Sequence, residues 1–246
     1  MTETATASGA HEDRRSGDAQ QLPRVVAVDG SAASGKSSVG RLLATRLGYP
    51  FLDTGVMYRA ITFAAIEAGT DIADEAALGQ LAESVSISVT LIGAGSASET
   101  VVCIDGVDIT ASLRRPDVEE AVSLVSRVPA VRDALVRQQR EIAEQKAIVM
   151  AGRDIGTVVL PDADLKLYLD ASVEERASRR HREFESLGHS LTHQDVLGDL
   201  RRRDQIDTER HVSPLRPADD AVIIQTDGLT LDQVMARVLA IVETGT

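Results

Sequence analysis

The sequence predicts a three-layer α/β fold around a five-stranded parallel sheet, with a small antiparallel β insert and a helical lid. Two patterns predict it. Short β-branched runs alternate with stretches of helical apolar spacing, and such alternation closes into right-handed crossovers that cover both faces of a parallel sheet. One stretch breaks the rhythm, with period-two alternation divided by turn residues.

The elements follow in order. Residues 1–22, "MTETATASGAHEDRRSGDAQQL", carry no apolar stretch and read as a polar, disordered tail. "RVVAV" (24–28) is a buried strand that ends at Asp29 and Gly30. The next helix has Val39, Leu42, Leu43 and Leu47 at helical spacing and stops at Gly48, a residue suited to the left-handed C′ position. "YPFL" (49–52), "AIVM" (147–150), "LKLYL" (165–169) and "AVIIQ" (221–225) supply the other four strands. "SVSISVTLIGAGSASETVVCIDGVDIT" (84–110) is divided by "GAGSAS" and then "DG", so it reads as the antiparallel meander. Helices are expected at 115–127 and at 130–145, the second opened by Pro129. The last helix starts at Thr230, with Gln233 spaced as a capping box.

Composition narrows the function classes. The net charge is −12, aromatic residues are 2% and tryptophan is absent. That argues against a nucleic-acid partner, which calls for a basic face and stacking aromatics. A lone cysteine, Cys103, excludes an internal disulfide and suits a reducing compartment. No apolar run reaches the length of a membrane span, so a cytoplasmic protein without membrane attachment is expected. Only Lys36, Lys146 and Lys166 among the 26 basic residues are lysines, and the first falls in a glycine-rich loop.

That loop carries the clearest chemistry. "GSAASGKS" (Gly30 to Ser37) fits G-x-x-x-x-G-K-[ST], after a strand and before a helix. Small residues let the backbone curl so that its N–H groups face phosphate oxygens, and the helix N-terminus adds positive potential. Nucleotide phosphates would be held by Gly30, Ser31, Ala32, Ala33, Ser34, Gly35, Lys36, Ser37 and Ser38. Lys36 would reach the β- and γ-phosphates, and the Ser37 hydroxyl would ligate Mg²⁺.

Three further stretches suggest an acceptor. In "FLDTGVMYRA" (51–60), Arg59 stands on an otherwise apolar helix start and needs a partner, either a phosphate or a salt-bridging carboxylate. "VMAGRDIGTVVLPDAD" (149–164) puts Arg153 and Asp154 at the carboxyl edge of the sheet, where ligands sit in open α/β folds. Gly152 and Gly156 there permit close approach of backbone to ligand, although a plain turn with an internal Arg–Asp pair is the simpler alternative. Residues 174–217 hold nine of the 23 arginines. They form either a solvated helix pair laced with ion pairs or a mobile lid that closes over transferring phosphates. Histidines 181, 189, 193 and 211 match no strong metal spacing and read as surface residues.

Taken together, "DGSAASGKSSVG", "LDTGVMYRA", "GRDIGTVVLPDADLKLYLDAS" with "EERASRR", and "RRRDQIDTERHVSPL" resemble the bacterial-type cytidylate kinase family from about residue 24 to 243. The resemblance implies the three-layer P-loop kinase fold over 23–246: a core of 23–60, 146–172 and 217–246, an acceptor-binding region with the β insert at 61–145, and a lid at 173–200. It implies ATP-dependent phosphorylation of CMP and dCMP. Asp154 would accept from cytosine N4, and Arg132 and Ser123 would donate to the ring acceptors. Asp207 would take the pentose hydroxyl. Arg59, Arg153, Arg203 and Arg210 would hold the acceptor phosphate with Thr54 beside them, and the catalytic lid arginines Arg176, Arg179 and Arg180 would close on the donor side. No obligate protein partner is implied, and a monomer is compatible with it.

Two positions depart from the family pattern. Ala151 replaces an acidic residue, which predicts weaker metal affinity or slower turnover unless Asp29 or Asp154 substitutes. Thr54 stands where serine is common and keeps the hydroxyl. Two rival readings are a P-loop kinase acting on a small non-nucleotide metabolite and a nucleotide-dependent switch or binding protein. The guanine-reading N-K-x-D tetrapeptide of the latter is absent.

Overall fold

The structure is a computed structural model that describes residues 22–92, 99–144, 147–186, 188 and 190–244. In chain order, β1 (Val25–Gly30) leads into α1 (Lys36–Leu47), and β2 (Phe51–Asp53) into α2 (Gly55–Glu67) and α3 (Glu75–Ser84). A small sheet of β3 (Ile87–Ile92), β4 (Glu99–Ile104) and β5 (Val107–Asp108) follows, then a 3₁₀ turn (Thr110–Arg114), α4 (Pro116–Val125) and α5 (Pro129–Glu144). The chain continues through β6 (Ile148–Gly152), a π-helical turn (Ile155–Val159), β7 (Leu165–Asp170), α6 (Val173–Ser186), α7 (His193–Glu209), β8 (Val222–Gln225) and α8 (Leu231–Thr244).

The five long-range strands pair in parallel in the order β2-β6-β1-β7-β8. Alternate side chains of the central strands enter different apolar layers, as pleating requires. Ala27, Leu52, Ile148 and Met150 pack with Met57 and Ile61 of α2, Leu78 of α3 and Leu135 of α5. Val26, Val28, Phe51, Val149, Ala151, Leu167 and Leu169 pack with Val39 and Leu43 of α1 and Val238 of α8. Both faces are therefore covered, and the three-layer expectation holds. Among the described residues, no helix is long and apolar enough to cross a membrane.

Local signals explain the element ends. Gly48 closes α1 in the left-handed conformation, its N–H turned back to the carbonyls of the last turn. Thr230 and Gln233 exchange the two hydrogen bonds of a capping box before α8. The meander is antiparallel, and its "DG" turn places Asp105 and Gly106 at φ 50° and 82°, as a two-residue hairpin turn needs. The "GAGSAS" turn (93–98) and the expected tail, apart from Leu22, lie outside the described residues.

Some boundaries move. β1 runs on through Asp29 and Gly30 because β6 pairs with it as far as Asp29 and β7 as far as Gly30. β2 begins at Phe51, since the Tyr49 N–H is used on the Ala44 carbonyl to finish the α1 turn. The lid boundary expected at 200 falls inside α7, which runs unbroken from its Thr192 cap to Glu209.

α1 lies close to β2 at one glycine. A Cβ at Gly40 would sit 2.6 Å from the Phe51 ring. Gly40→Ala is expected to overpack this contact and cost about 1–3 kcal/mol. The readout is a lower urea midpoint with an unchanged m-value; an unchanged midpoint would show that the helix shifts freely on the sheet.

Candidate functional site

The carboxyl ends of β1, β2 and β6 carry the site. After Gly30 the chain curls tightly, with Ala33 and Gly35 at φ 60° and 93°. Positive φ at an alanine is strained, and such strain is common where backbone is shaped for a ligand. A Cβ at Gly30 would lie 2.4 Å from the Leu169 carbonyl, so β7 allows only glycine where the loop departs. The Ser34 hydroxyl is buried inside the loop without a partner. The close approach of β7 therefore helps set the loop conformation.

Lys36 opens α1 beneath this loop, and its ammonium donates to the Ser31 carbonyl at 3.0 Å. Burial, with repulsion from Arg153, pushes the ammonium down to about 7, against the opposing pull of Asp53 and Asp207. Next to it, the Ser37 hydroxyl donates to Asp53 at 2.6 Å. Burial works to raise the Asp53 pKa, but Lys36 and Arg59 overcome it and the carboxyl is held below its ordinary value. These two oxygens suit a hard cation such as Mg²⁺, which takes few protein ligands and completes its shell with phosphate and water. Among the described residues no group of three or more His, Cys, Asp or Glu could hold a metal, so Ser37 and Asp53 are the donors to consider.

Asp53 escaped the sequence reading. Its neighbours across the strand pair explain its position: Asp53 is the register partner of Ala151, so both lie at the same level of the sheet edge. Asp29 and Asp154, the two substitutes expected for the missing acidic residue at 151, are committed elsewhere. The Asp29 carboxylate accepts from the backbone N–H groups of Ile155 and Gly156, both at 2.8 Å. Asp154 is paired with Arg132.

That Arg132–Asp154 pair is almost wholly buried. Arg132 reaches in from α5, donates to the Ser126 carbonyl at 3.2 Å and lies over the Tyr58 ring. Arg210 approaches Asp154 at 3.9 Å. Around the pair, the Arg132 Nε and the Arg210 Nη2 are buried without a hydrogen-bond partner, the latter facing Asp154 only at 3.9 Å, and the Tyr58 hydroxyl is buried against the Gln139 amide. Buried polar groups gathered in one place are costly in isolation and make this a candidate ligand pocket. Tyr58 and Gln139 were also missed; buried polar residues on apolar helices were the available signal. Ser123 lies one turn before Ser126, which caps α4.

The four arginines expected to share one phosphate fall into two pairs. Arg59 and Arg203 meet Glu119 at 2.8 and 3.3 Å. Arg153 donates to Asp207 at 2.8 Å and to the Gly30 carbonyl at 3.1 Å, and Arg210 lies 3.9 Å from Asp207. Thr54 is buried, and its hydroxyl donates to the Ala151 carbonyl at 3.0 Å. Gly152 and Gly156 admit protein: a Cβ would meet Thr54 and Ile155 at the first and the Lys166 stem at the second.

The lid arginines separate as well. Arg176 is buried, donates to the Ala32 carbonyl of the loop at 3.1 Å, and is forked onto Asp204 of α7. Arg179 reaches Thr226, and Arg180 pairs with Glu183 and covers Phe184. His181 and His193 meet edge to face.

The desolvated lysine has a measurable consequence. Unfolded Lys36 titrates near 10.5 and folded Lys36 near 7, so between these values the unfolded chain holds the extra proton. Stability should therefore rise with pH through that window. Lys36→Met should fold and lose this part of the slope in urea unfolding over the same pH series. Identical slopes would show that the ammonium is solvated.

The cytidylate kinase family model matches residues 26–244. Curated relatives named cytidylate kinase include those of Rhodococcus jostii, 48% identical over 89% of this chain and 94% of the relative, and Nocardia farcinica, 47% identical over 90% and 95%. That of Bacillus licheniformis is 44% identical over 89% and 95%. With the family model matching nearly the whole described chain and relatives of that name 44–48% identical over about nine-tenths of it, the chain belongs to the cytidylate kinase family.

Proposed function

We propose that the chain transfers the terminal phosphoryl group of ATP to CMP and dCMP, yielding CDP and dCDP. The observation that carries this reading is the buried Arg132–Asp154 pair with the buried polar groups of Arg210, Tyr58 and Gln139 around it. Cytosine offers a donor at N4 and acceptors at N3 and O2. A carboxylate beside guanidinium donors matches that pattern, with Asp154 facing N4 and Arg132 and Ser123 facing the ring acceptors. Uracil reverses the pattern at positions 4 and 3 and would leave buried groups mispaired, which is a strong basis for discrimination.

The donor nucleotide would be cradled by residues 30–38, with Lys36 on its β- and γ-phosphates. Ser37 and Asp53 would hold the Mg²⁺ that comes with ATP, and the ion would neutralise charge on the transferring group. Asp207 would take the pentose hydroxyl. Arg59, Arg153, Arg203 and Arg210 would hold the acceptor phosphate near Thr54, and α6 and the first half of α7 would close as a lid bearing Arg176, Arg179 and Arg180. The acceptor oxygen is already ionised at neutral pH, so catalysis is positioning and charge stabilisation and needs no general base. The enzyme would work in the cytoplasm as a monomer, without an obligate protein partner.

ADP release from Mg·ATP, measured against CMP, dCMP, UMP, AMP, GMP, shikimate, gluconate and water, tests the reading. Strong turnover with CMP and dCMP, weak turnover with UMP and none with water is expected. Turnover with a non-nucleotide metabolite, or with water alone, would overturn the acceptor assignment and leave the phosphate loop standing.

A further inference from the structure

One carboxylate in the acceptor region has no assigned part, yet it holds more cationic side chains than any other described here. Glu119 Oε1 accepts from Arg59 of α2 at 2.8 Å and from Arg114 of the 3₁₀ turn at 3.4 Å. Its Oε2 accepts from Arg203 of α7 at 3.3 Å and lies 4.0 Å from Arg180 of α6. Arg203 also donates to the Glu119 backbone carbonyl at 2.7 Å. Its side chain is 13% exposed. Burial works to raise the Glu119 pKa, but Arg59, Arg203 and Arg114 together hold it at about 2.

We propose that Glu119 is a resident anion of the acceptor-phosphate site, filling the arginine cluster until the acceptor phosphate displaces it. The proposal rests on the assignment of Arg59 and Arg203 to that phosphate. Acceptor binding is then an exchange of one anion for another, and Glu119 sets how tightly a monophosphate is held.

Three observations support it. First, the four guanidiniums come from four separate elements and converge on one carboxylate, the arrangement a phosphate requires. Second, the other carboxylates facing these arginines are not common to all of them: Asp199 lies 2.8 Å from the Arg203 Nε and also holds Arg202, Glu183 lies 2.8 Å from Arg180, and Asp53 faces Arg59. Among the described residues Glu119 is the one anion that all four guanidiniums share, so a doubly charged phosphate in its place would meet all four. Third, Glu119 stands on Arg59 and Arg203 while Asp207 holds Arg153 and Arg210. A phosphate that draws on all four competes with one carboxylate or the other. Glu119 is the one with no assigned ligand contact.

Calorimetric titration of the ATP-free protein with CMP and with cytidine tests this. Glu119→Gln keeps the shape and removes the charge, so CMP should bind about tenfold tighter or more, the worth of a displaced charge-assisted hydrogen bond. Cytidine, which has no phosphate, should bind as in the wild type. Glu119→Asp keeps the charge one methylene back and should give a smaller gain, which keeps the test open if the glutamine variant folds poorly. Equal changes for CMP and cytidine, or unchanged or weaker CMP binding, would overturn the proposal and make Glu119 a brace. Arg59→Ala separates the two levels. If it leaves CMP affinity intact, the phosphate assignment itself fails. If it weakens CMP while Glu119→Gln does not tighten it, only the resident-anion proposal fails.

Discussion

The site depends on one buried carboxylate. Asp29, at the end of the central strand, accepts from the amides of Ile155 and Gly156 in the turn that follows β6. Burial pushes its pKa up to about 6, with the two amides opposing the rise. Asp29 precedes Gly30, where the phosphate loop starts, and the turn it grips carries Arg153 and Asp154. One side chain therefore sets the donor loop in register with the acceptor-reading residues across two strands. The Arg153 bond to the Gly30 carbonyl repeats the link from the other side. Geometry of this kind matters because phosphoryl transfer asks for alignment above all else.

A second constraint is electrostatic. The chain is acidic overall, yet its interior gathers Lys36, Arg132, Arg176 and Arg210 around the sheet edge, with Arg153 partly buried beside them. Buried cations persist only when paired, and each arginine here has carboxylate or carbonyl partners. Those partners are also what a nucleotide would replace or join. Asp207 and Glu119 divide Arg153, Arg210, Arg59 and Arg203 between them, and Asp204 ties Arg176 to α7. The ion pairs that keep the ligand-free fold together are therefore the same groups on which binding must act.

Much of this was legible in the sequence. The strand–loop–helix signature located the tight glycine-rich loop between β1 and α1, and the "DG" turn, the Gly48 stop and the Thr230 cap fell where local chemistry dictates. Alternation of strand and helix gave the parallel sheet, because periodicity is a local property. The less legible parts are long-range. Asp53 lies in a quoted stretch, but its contact with Ser37 arises only when β2 packs beside α1. Glu119 looks like an ordinary acid in the first turn of α4, and its partner Arg203 is 84 residues away. Gly152 and Gly156 were read as points of close approach to a ligand, but what approaches them is the protein itself, the side chains of Thr54 and Ile155 at the first and of Lys166 and Asp29 at the second.

The central claim is that the Arg132–Asp154 pair reads cytosine. The most direct measurement is kcat/KM for CMP and for UMP in wild type and Asp154→Asn, with the KM for ATP as control. The account predicts that the CMP-to-UMP preference falls by about tenfold or more while the ATP KM is unchanged, since a lost charged hydrogen bond carries that much discrimination. An equal loss for both acceptors would mean that Asp154 holds the site together without reading the base.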